Sequence, residues 1–260
     1  GWGIGLIPMD ISLELSPNQP VAVNATVYMD TTFSFGWADT FKEIETAKVA
    51  WGVTGKFVNR GYFSKAIDAI ELAADSNFVK TSDLKEGYFF DADIGFLYKP
   101  HIADDDSLIS YLRLARPTFG AVIRNVIDAD SVGTFKLFNK EASSESKPEK
   151  LTRVIDIGSR WEYPSLWIFG GRGELDVRDI GHPNFTTRRA LHVGFEFDWS
   201  VTTWWRGHYR VGLNQGYYTA GISAMLFIFN LDFATYGEEV GSYSQPKENR
   251  IYMAKLNIDI

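Results

Sequence analysis

Long stretches of this sequence alternate between apolar and polar residues with a period of two, and this pattern restricts the fold more than any other feature. From Val21 to Phe35 the odd positions are almost all apolar, while the even positions are mostly polar. The same alternation returns at 88–98, 191–199 and 252–258. Because successive side chains of a β-strand point to opposite faces, each stretch predicts a strand with one apolar and one polar face.

The alternation divides the chain into about twelve strands, within a predicted range of twelve to fourteen. The predicted strands are 4–16, 21–36, 47–60, 87–99, 117–128, 151–162, 165–177, 188–200, 203–214, 217–227, 229–237 and 249–260. Most exceed the about 5–6 residues of an ordinary globular strand, and a tilted strand needs about 9–11 residues to cross a bilayer. An even strand number is also typical of closed bacterial barrels.

Aromatic content supports a membrane location for these strands. Phe, Tyr and Trp make up 15% of the chain, with 19 Phe, 12 Tyr and 8 Trp. Transmembrane β-barrels have an outer apolar band that is edged by aromatic residues. We therefore predict one domain over 1–260, a closed antiparallel transmembrane β-barrel in the outer membrane, in its mature form after removal of a signal peptide. A soluble β-sandwich is the alternative.

If the apolar rows face lipid, the opposite rows line a lumen. Acidic and basic residues occur in equal number along these rows, which favours cross-strand salt bridges in a narrow interior over a wide water-filled pore. The predicted lumen charge network consists of Asp91, Asp93, Arg124, Asp156, Arg160, Arg172, Glu174, Glu196, Arg210 and Asp232.

Tryptophans near the predicted strand ends indicate an aromatic girdle at the edge of the lipid-facing band. The predicted girdle consists of Trp51, Trp161, Trp167, Trp199, Trp204 and Trp205. In a β-sandwich the same residues would belong to the buried core.

Two long connections, 61–86 and 129–150, are predicted to lie on the extracellular side. In the first, apolar residues at helical spacing predict a short helix from Ser64 to Val79, which caps or enters the barrel mouth or else lies on the rim. The residues of its apolar stripe include Phe63, Ile67, Ile70 and Leu72.

No motif predicts catalysis or a bound cofactor. The absence of Cys excludes disulfides, Cys-ligated metals and thiol nucleophiles. A net charge of −7 without a basic stripe argues against nucleic-acid binding. His192 and His208 fall on the polar rows near Glu196 and Asp198, but neutral histidine in polar surroundings is commoner than a metal or hydrolase site. We predict no enzyme, no metal and no cofactor.

Several segments, taken in order, resemble a known family. They are WGVTGK at 51–56, EGYFFDADIGFLY at 86–98, GAVIRNVID at 120–128, RVGLN at 210–214, YTAGI at 218–222 and DFATYGEEVG at 232–241. This pattern resembles the FadL-like outer-membrane barrels of Gram-negative bacteria, and more closely the branch called TraF-like.

The resemblance implies a barrel in outer-membrane lipid that passes small or hydrophobic molecules. The alternative is a barrel that does not transport, but serves as a membrane anchor or scaffold for another envelope protein. Under that alternative the connections 61–86 and 129–150 would be the docking surface.

Overall fold

The computed structural model describes residues 1–18, 22–44, 47–68, 80–101, 115–183, 185–240 and 246–258. Twelve antiparallel strands form one sheet in this part of the chain, and their order in the sheet follows the sequence. The strands are β1 (Trp2–Asn18), β2 (Ala22–Ile44), β3 (Ala47–Asp68), β4 (Lys85–Pro100), β5 (Thr118–Arg124), β6 (Val154–Leu166), β7 (Phe169–Ile180), β8 (Leu191–Thr202), β9 (Trp205–Asn214), β10 (Tyr217–Leu226), β11 (Phe229–Glu239) and β12 (Glu248–Ile258). The predicted all-β class and the number of strands are confirmed.

Every strand pairs with its neighbours in sequence, but the first and the last strand do not pair with each other. Within the described residues no hydrogen-bonded ladder joins β1 to β12, so the sheet has two free edges.

The helix predicted from Ser64 to Val79 is wrong where the structure describes this segment. Phe63 to Asp68 continue β3, in which Phe63 lies opposite Val27. Both Phe63 and Ile67 are buried in a small core with Ala25, Val27 and Leu84. Apolar residues four apart lie on one side of a strand as well as of a helix, so this spacing fits both periods. The pairing of this segment with β2 and the burial of Phe63 and Ile67 show that it is a strand.

The other two residues of the predicted helical stripe, Ile70 and Leu72, lie outside the described residues. Because β3 runs to Asp68, the connection to β4 covers 69–84 rather than the predicted 61–86. Strands β2 and β3 have 23 and 22 residues, considerably more than their predicted lengths. Their pairing continues past a bulge near Thr40, where the alternation in the sequence is interrupted.

Short helices occur only in connections of the described chain. A 3-10 helix covers Thr81–Asp83, and one α-helical turn, α1 (Thr187–Ala190), precedes β8. The Thr186 hydroxyl caps α1 by accepting the Arg189 N–H at 3.1 Å. None of the helices in the described ranges is long and apolar enough to cross a membrane.

The strand register divides the sheet into two faces, which we name the apolar face and the polar face. Row partners on the apolar face include Phe33, Phe57 and Phe90 on β2–β4. Many large side chains on this face are exposed, among them Phe195 and Phe233 at about half of their surface. Continuous apolar surface of this kind indicates contact with an apolar environment or a partner.

The connection 125–153 between β5 and β6, which we name the clamp loop, contains the predicted connection 129–150. It folds against both faces of the sheet near the start of β4. Gly133 pairs with Tyr88 on the edge of β4. Phe138 packs on the apolar face beside Met29, whereas Leu151 is buried on the polar face with Val58 and Phe89. The clamp loop therefore packs against β2–β4 on both faces of the sheet.

Candidate functional site: the charged face and the clamp loop

The strand register places all ten residues of the predicted charge network on the polar face. Residues of one parity share a face of a strand, and hydrogen-bonded register carries this parity from each strand to the next. The network is divided into local groups along the sheet, each of which joins neighbouring strands.

The longest group crosses β7 to β11. Arg172 contacts Glu196 at 2.6 Å, and Glu196 contacts Arg210 at 3.4 Å. Arg210 in turn contacts Asp232 at 3.0 Å, and the Ser223 hydroxyl is hydrogen-bonded to both of these side chains. Opposite charges alternate along this group, so each guanidinium stabilises the carboxylates that it contacts, and Arg210 reaches Asp232 across β10.

A second group is centred on Arg124 at the end of β5. Its guanidinium contacts Asp156 at 2.7 Å and Asp179 at 2.6 Å. Asp179 was not predicted, because the predicted strand 165–177 ends before it. In the structure it follows an irregularity in the β6–β7 register and has a positive φ of 59°. Parity counted along the sequence is lost at such an irregularity.

Arg160 is held more loosely than the other arginines. It contacts Glu162 on its own strand at 2.6 Å, whereas Glu174 on β7 is 3.9 Å away. The latter distance allows an ion pair but exceeds that of a hydrogen bond.

Asp91 and Asp93 link the polar face to the clamp loop. Asp93 contacts Lys56 at 2.6 Å and accepts the backbone N–H of Asn125 at 2.8 Å. The buried Asp91 accepts the backbone N–H of Ile127 at 3.1 Å. Asp91 therefore fastens the start of the loop, a role that strand periodicity alone could not indicate.

Glu86 fastens the same loop on the opposite, apolar face. This carboxylate is almost fully buried and accepts the backbone N–H groups of Leu137, Phe138 and Asn139 at 2.8–2.9 Å. The Asn59 side-chain amide also donates to it, at 3.2 Å. Buried charge is tolerated only where it is fully hydrogen-bonded, and these donors meet that need.

The polar face and the end of the clamp loop line a partly open chamber of about 360 Å³. Two contacts on its wall were not predicted: Arg60 to Asp30 at 2.7 Å, and the Tyr28 hydroxyl to Glu149 at 2.7 Å. Asp30 stands on the even, polar row of the 21–35 alternation, so its face could have been inferred. The contact of Glu149 with Tyr28 could not have been inferred from the sequence, because it depends on the path of the clamp loop.

An ion pair between Lys150 and Asp128 joins the two ends of the clamp loop. The Lys150 ammonium contacts the Asp128 carboxylate at 2.8 Å, and Asp128 also accepts the backbone N–H of Arg153 at 3.1 Å. These hydrogen bonds lower the pKa of Asp128 below its ordinary value and raise the pKa of Lys150.

All eight tryptophans lie in one half of the sheet, near the β2–β3, β6–β7, β8–β9 and β10–β11 connections. Of the six predicted girdle residues, Trp51, Trp161, Trp199 and Trp205 are on the apolar face of strands, whereas Trp167 and Trp204 stand in turns. Trp2 and Trp37 were not predicted. They are register partners in the same half of the sheet.

Glu196, Asp198 and His208 bring potential ligand atoms within 4.8 Å of one another. Glu196, however, already contacts the guanidinium groups of Arg172 and Arg210. Their positive charges oppose the binding of another cation. The geometry of this group is accounted for by charge pairing on the polar face.

No family model matches this chain, and neither a curated protein nor a solved structure matches it.

Proposed function

We propose that this chain is an outer-membrane β-barrel with its apolar face toward lipid and its polar face toward the interior. The separation of charge between the two faces carries this proposal. The ten-residue network lies on one face, while the central apolar-face rows 88–98, 191–199 and 252–258 contain no charged residue. A charged side chain at the midplane of a barrel's lipid-facing surface costs about 2–4 kcal/mol.

The height of the apolar band agrees with a bilayer. On β10, Tyr218 and Leu226 mark its borders, and Leu226 is the register partner of Trp205 in the tryptophan-rich half. Eight steps along a strand span about 27 Å, or about 21 Å after a tilt of about 40°. Transmembrane barrels have an apolar band about 25 Å tall.

The membrane location requires both free edges to be paired. An unpaired backbone N–H or C=O in hydrocarbon costs several kcal/mol, so open sheet edges do not occur there. We therefore propose that β1 lies beside β12 in the bilayer, as in a closed barrel. Ile7 and Met253, which are half exposed at the two edges, would cover each other on the interior side.

The natural absence of Cys makes this closure testable. Single cysteines at Ile4, Leu6 and Ile11 of β1 would be combined with single cysteines at Tyr252, Ala254 and Leu256 of β12. We expect at least one pair to form a disulfide in the membrane. Cysteine at Ser159 of β6, combined with the same β12 positions, is the control. A complete lack of β1–β12 cross-links would contradict closure.

We infer that the interior passes small polar molecules. Paired charges of both signs coat the polar face, and the chamber beneath the clamp loop is lined by polar groups. The apolar side chains of the polar-face core, Val58, Phe89 and Leu151, are buried and offer no surface to hydrophobic cargo.

A scaffold function is the second candidate, because the clamp loop exposes Val132, Phe135 and Leu137 by about 60% or more. Their outward position would suit another envelope protein. Under this proposal the barrel anchors the loop and need not conduct.

A vesicle-swelling assay separates the two functions. The full chain would be folded into phosphatidylcholine vesicles and challenged with a pentose. Passage predicts swelling that becomes faster when Glu149 and Lys150, which line the chamber, are both replaced by Gly. Vesicles that contain inserted, protease-protected protein but do not swell would contradict passage and leave the scaffold function. Failure to insert would contradict the membrane location itself.

A further inference from the structure

The apolar face is indented by a groove of about 540 Å³ on β10–β12. Its floor is formed by the small side chains of Ala220, Thr235 and Ala254, and its walls by Ile222, Phe233 and Tyr252. Thr235 is the register partner of Ala220 and Tyr252, while Phe233 is the partner of Ala254. The indentation arises because these three strands carry short side chains where neighbouring rows carry Phe, Tyr or Leu.

The groove contains one covered polar group without a hydrogen-bond partner. The Thr235 hydroxyl oxygen is covered and makes no hydrogen bond. Leaving a buried hydroxyl unpaired costs about 1–3 kcal/mol. The hydroxyl and methyl positions of threonine exchange by rotation between staggered χ1 rotamers, and a rotation of this kind is what binding a ligand in the groove would require. The position therefore suits a ligand that is apolar along the groove and has a hydrogen-bond acceptor at one end.

The position of Thr235 along β11 indicates which chemical group of the ligand would supply the hydrogen-bond acceptor. The next row outward contains Arg250, whose guanidinium lies 3.8 Å from the centre of the Tyr218 ring and donates to the Tyr218 carbonyl. Arginine and tyrosine together are typical of the border between lipid and water. Thr235 thus lies one row inside this border, and the ester groups of a diacyl lipid lie just beneath its headgroup.

We propose that the β10–β12 groove binds one acyl chain of a diacyl lipid, whose ester carbonyl accepts a hydrogen bond from Thr235. This inference rests on the proposed membrane location of the apolar face. It adds a defined lipid site to a surface that would otherwise contact lipid without preference. Inside hydrocarbon, an apolar groove is filled by lipid chains rather than by water.

Two ligands that differ only at the carbonyl test the site without changing the protein. The detergent-solubilised chain would be titrated with dipalmitoyl phosphatidylcholine and with the dihexadecyl ether analogue, and bound lipid would be counted by native mass spectrometry. We expect the ester lipid to bind about three- to tenfold more tightly, the usual effect of one hydrogen bond. In Thr235→Val the two lipids should bind equally.

Filling the groove gives the second measurement. Ala254→Phe should weaken ester-lipid binding at least tenfold, whereas Ala224→Phe, on the same face outside the groove lining, should leave it unchanged. Equal binding of ester and ether lipids to the natural chain would overturn the inference, and so would unchanged binding by Ala254→Phe. If the protein inserts into vesicles but gives either of these results, the lipid site is rejected and the membrane location stands. If the protein does not insert, both proposals are rejected.

Discussion

At the scale of single residues, Phe197 tests what the apolar face contacts. It lies in the middle of β8, about half exposed, between Gly171 and Tyr209. We expect Phe197→Arg to reduce the free energy of unfolding from lipid by about 2–4 kcal/mol, because its row passes through Ile222, halfway between the proposed borders of the apolar band on β10. Phe229→Arg, on the same face beside the β10–β11 turn, should cost about 0–1 kcal/mol. The measurement is denaturant unfolding in vesicles. Equal and small losses would place this face outside a bilayer.

Glu86 tests the attachment of the clamp loop. The carboxylate accepts three backbone N–H groups from residues 137–139. In Glu86→Gln one acceptor oxygen becomes an NH₂ donor, so at least one buried N–H loses its partner. We expect a loss of about 1–3 kcal/mol and faster protease cleavage within residues 140–150. The exposed Glu141→Gln is the matched control and should behave like the natural chain. Identical cleavage of both variants would show that the loop is held by other contacts.

At the scale of elements, the ion pair between Asp128 and Lys150 gives the clamp loop a defined pH dependence. The folded-state pKa of Asp128 is lowered. Its ionised carboxylate therefore stabilises the folded chain fully above the ordinary pKa of 3.8, and this stabilisation is lost as the pH falls through the lowered value. Carbon-13 NMR of labelled aspartate should therefore show Asp128 titrating below 3.8, and closer to 3.8 in Lys150→Met. Lys147→Met is the control. An unchanged titration in Lys150→Met would show that the ion pair does not form.

The clamp loop also shows where an element escapes sequence interpretation. Residues 141–150 are charged and rich in serine, and they contain no periodic pattern. The rest of the clamp loop is held by distant carboxylates: Glu86 on one face of β4 accepts the Phe138 N–H, and Asp91 on the other accepts the Ile127 N–H. Hydrogen bonds from loop backbone to a buried carboxylate depend on the path of the chain, because every non-proline residue has the same N–H donor.

At the scale of the whole molecule, the one-sided distribution of tryptophan predicts a depth signature. Because all eight Trp lie in one half of the sheet, bilayer insertion should place them near one lipid–water border. We expect lipids brominated near the headgroup to quench the intrinsic fluorescence more than lipids brominated near the chain end. Strongest quenching from the chain end would contradict this orientation, and so would the absence of quenching. Detergent micelles without brominated lipid provide the reference.

Period-two alternation alone determined the all-β class, the twelve strands and the face to which each of the ten charged network residues belongs. These properties are local, since a strand alternates its side chains wherever it lies. The helix predicted after Ser64 failed because residues four apart share a side in both a helix and a strand. Only pairing with β2 and burial beside Val27 decided for the strand.

Which charges meet was decided by the tertiary structure. Arg172, Glu196 and Arg210 were expected on one face, but their order depends on strand register, and the partner of Arg124 at Asp179 depends on an irregularity within β7. The clamp loop and the β10–β12 groove likewise come from residues far apart in the chain. Sequence periodicity reports the direction of a side chain, whereas contacts depend on the relative placement of several strands, and only the folded sheet fixes that placement.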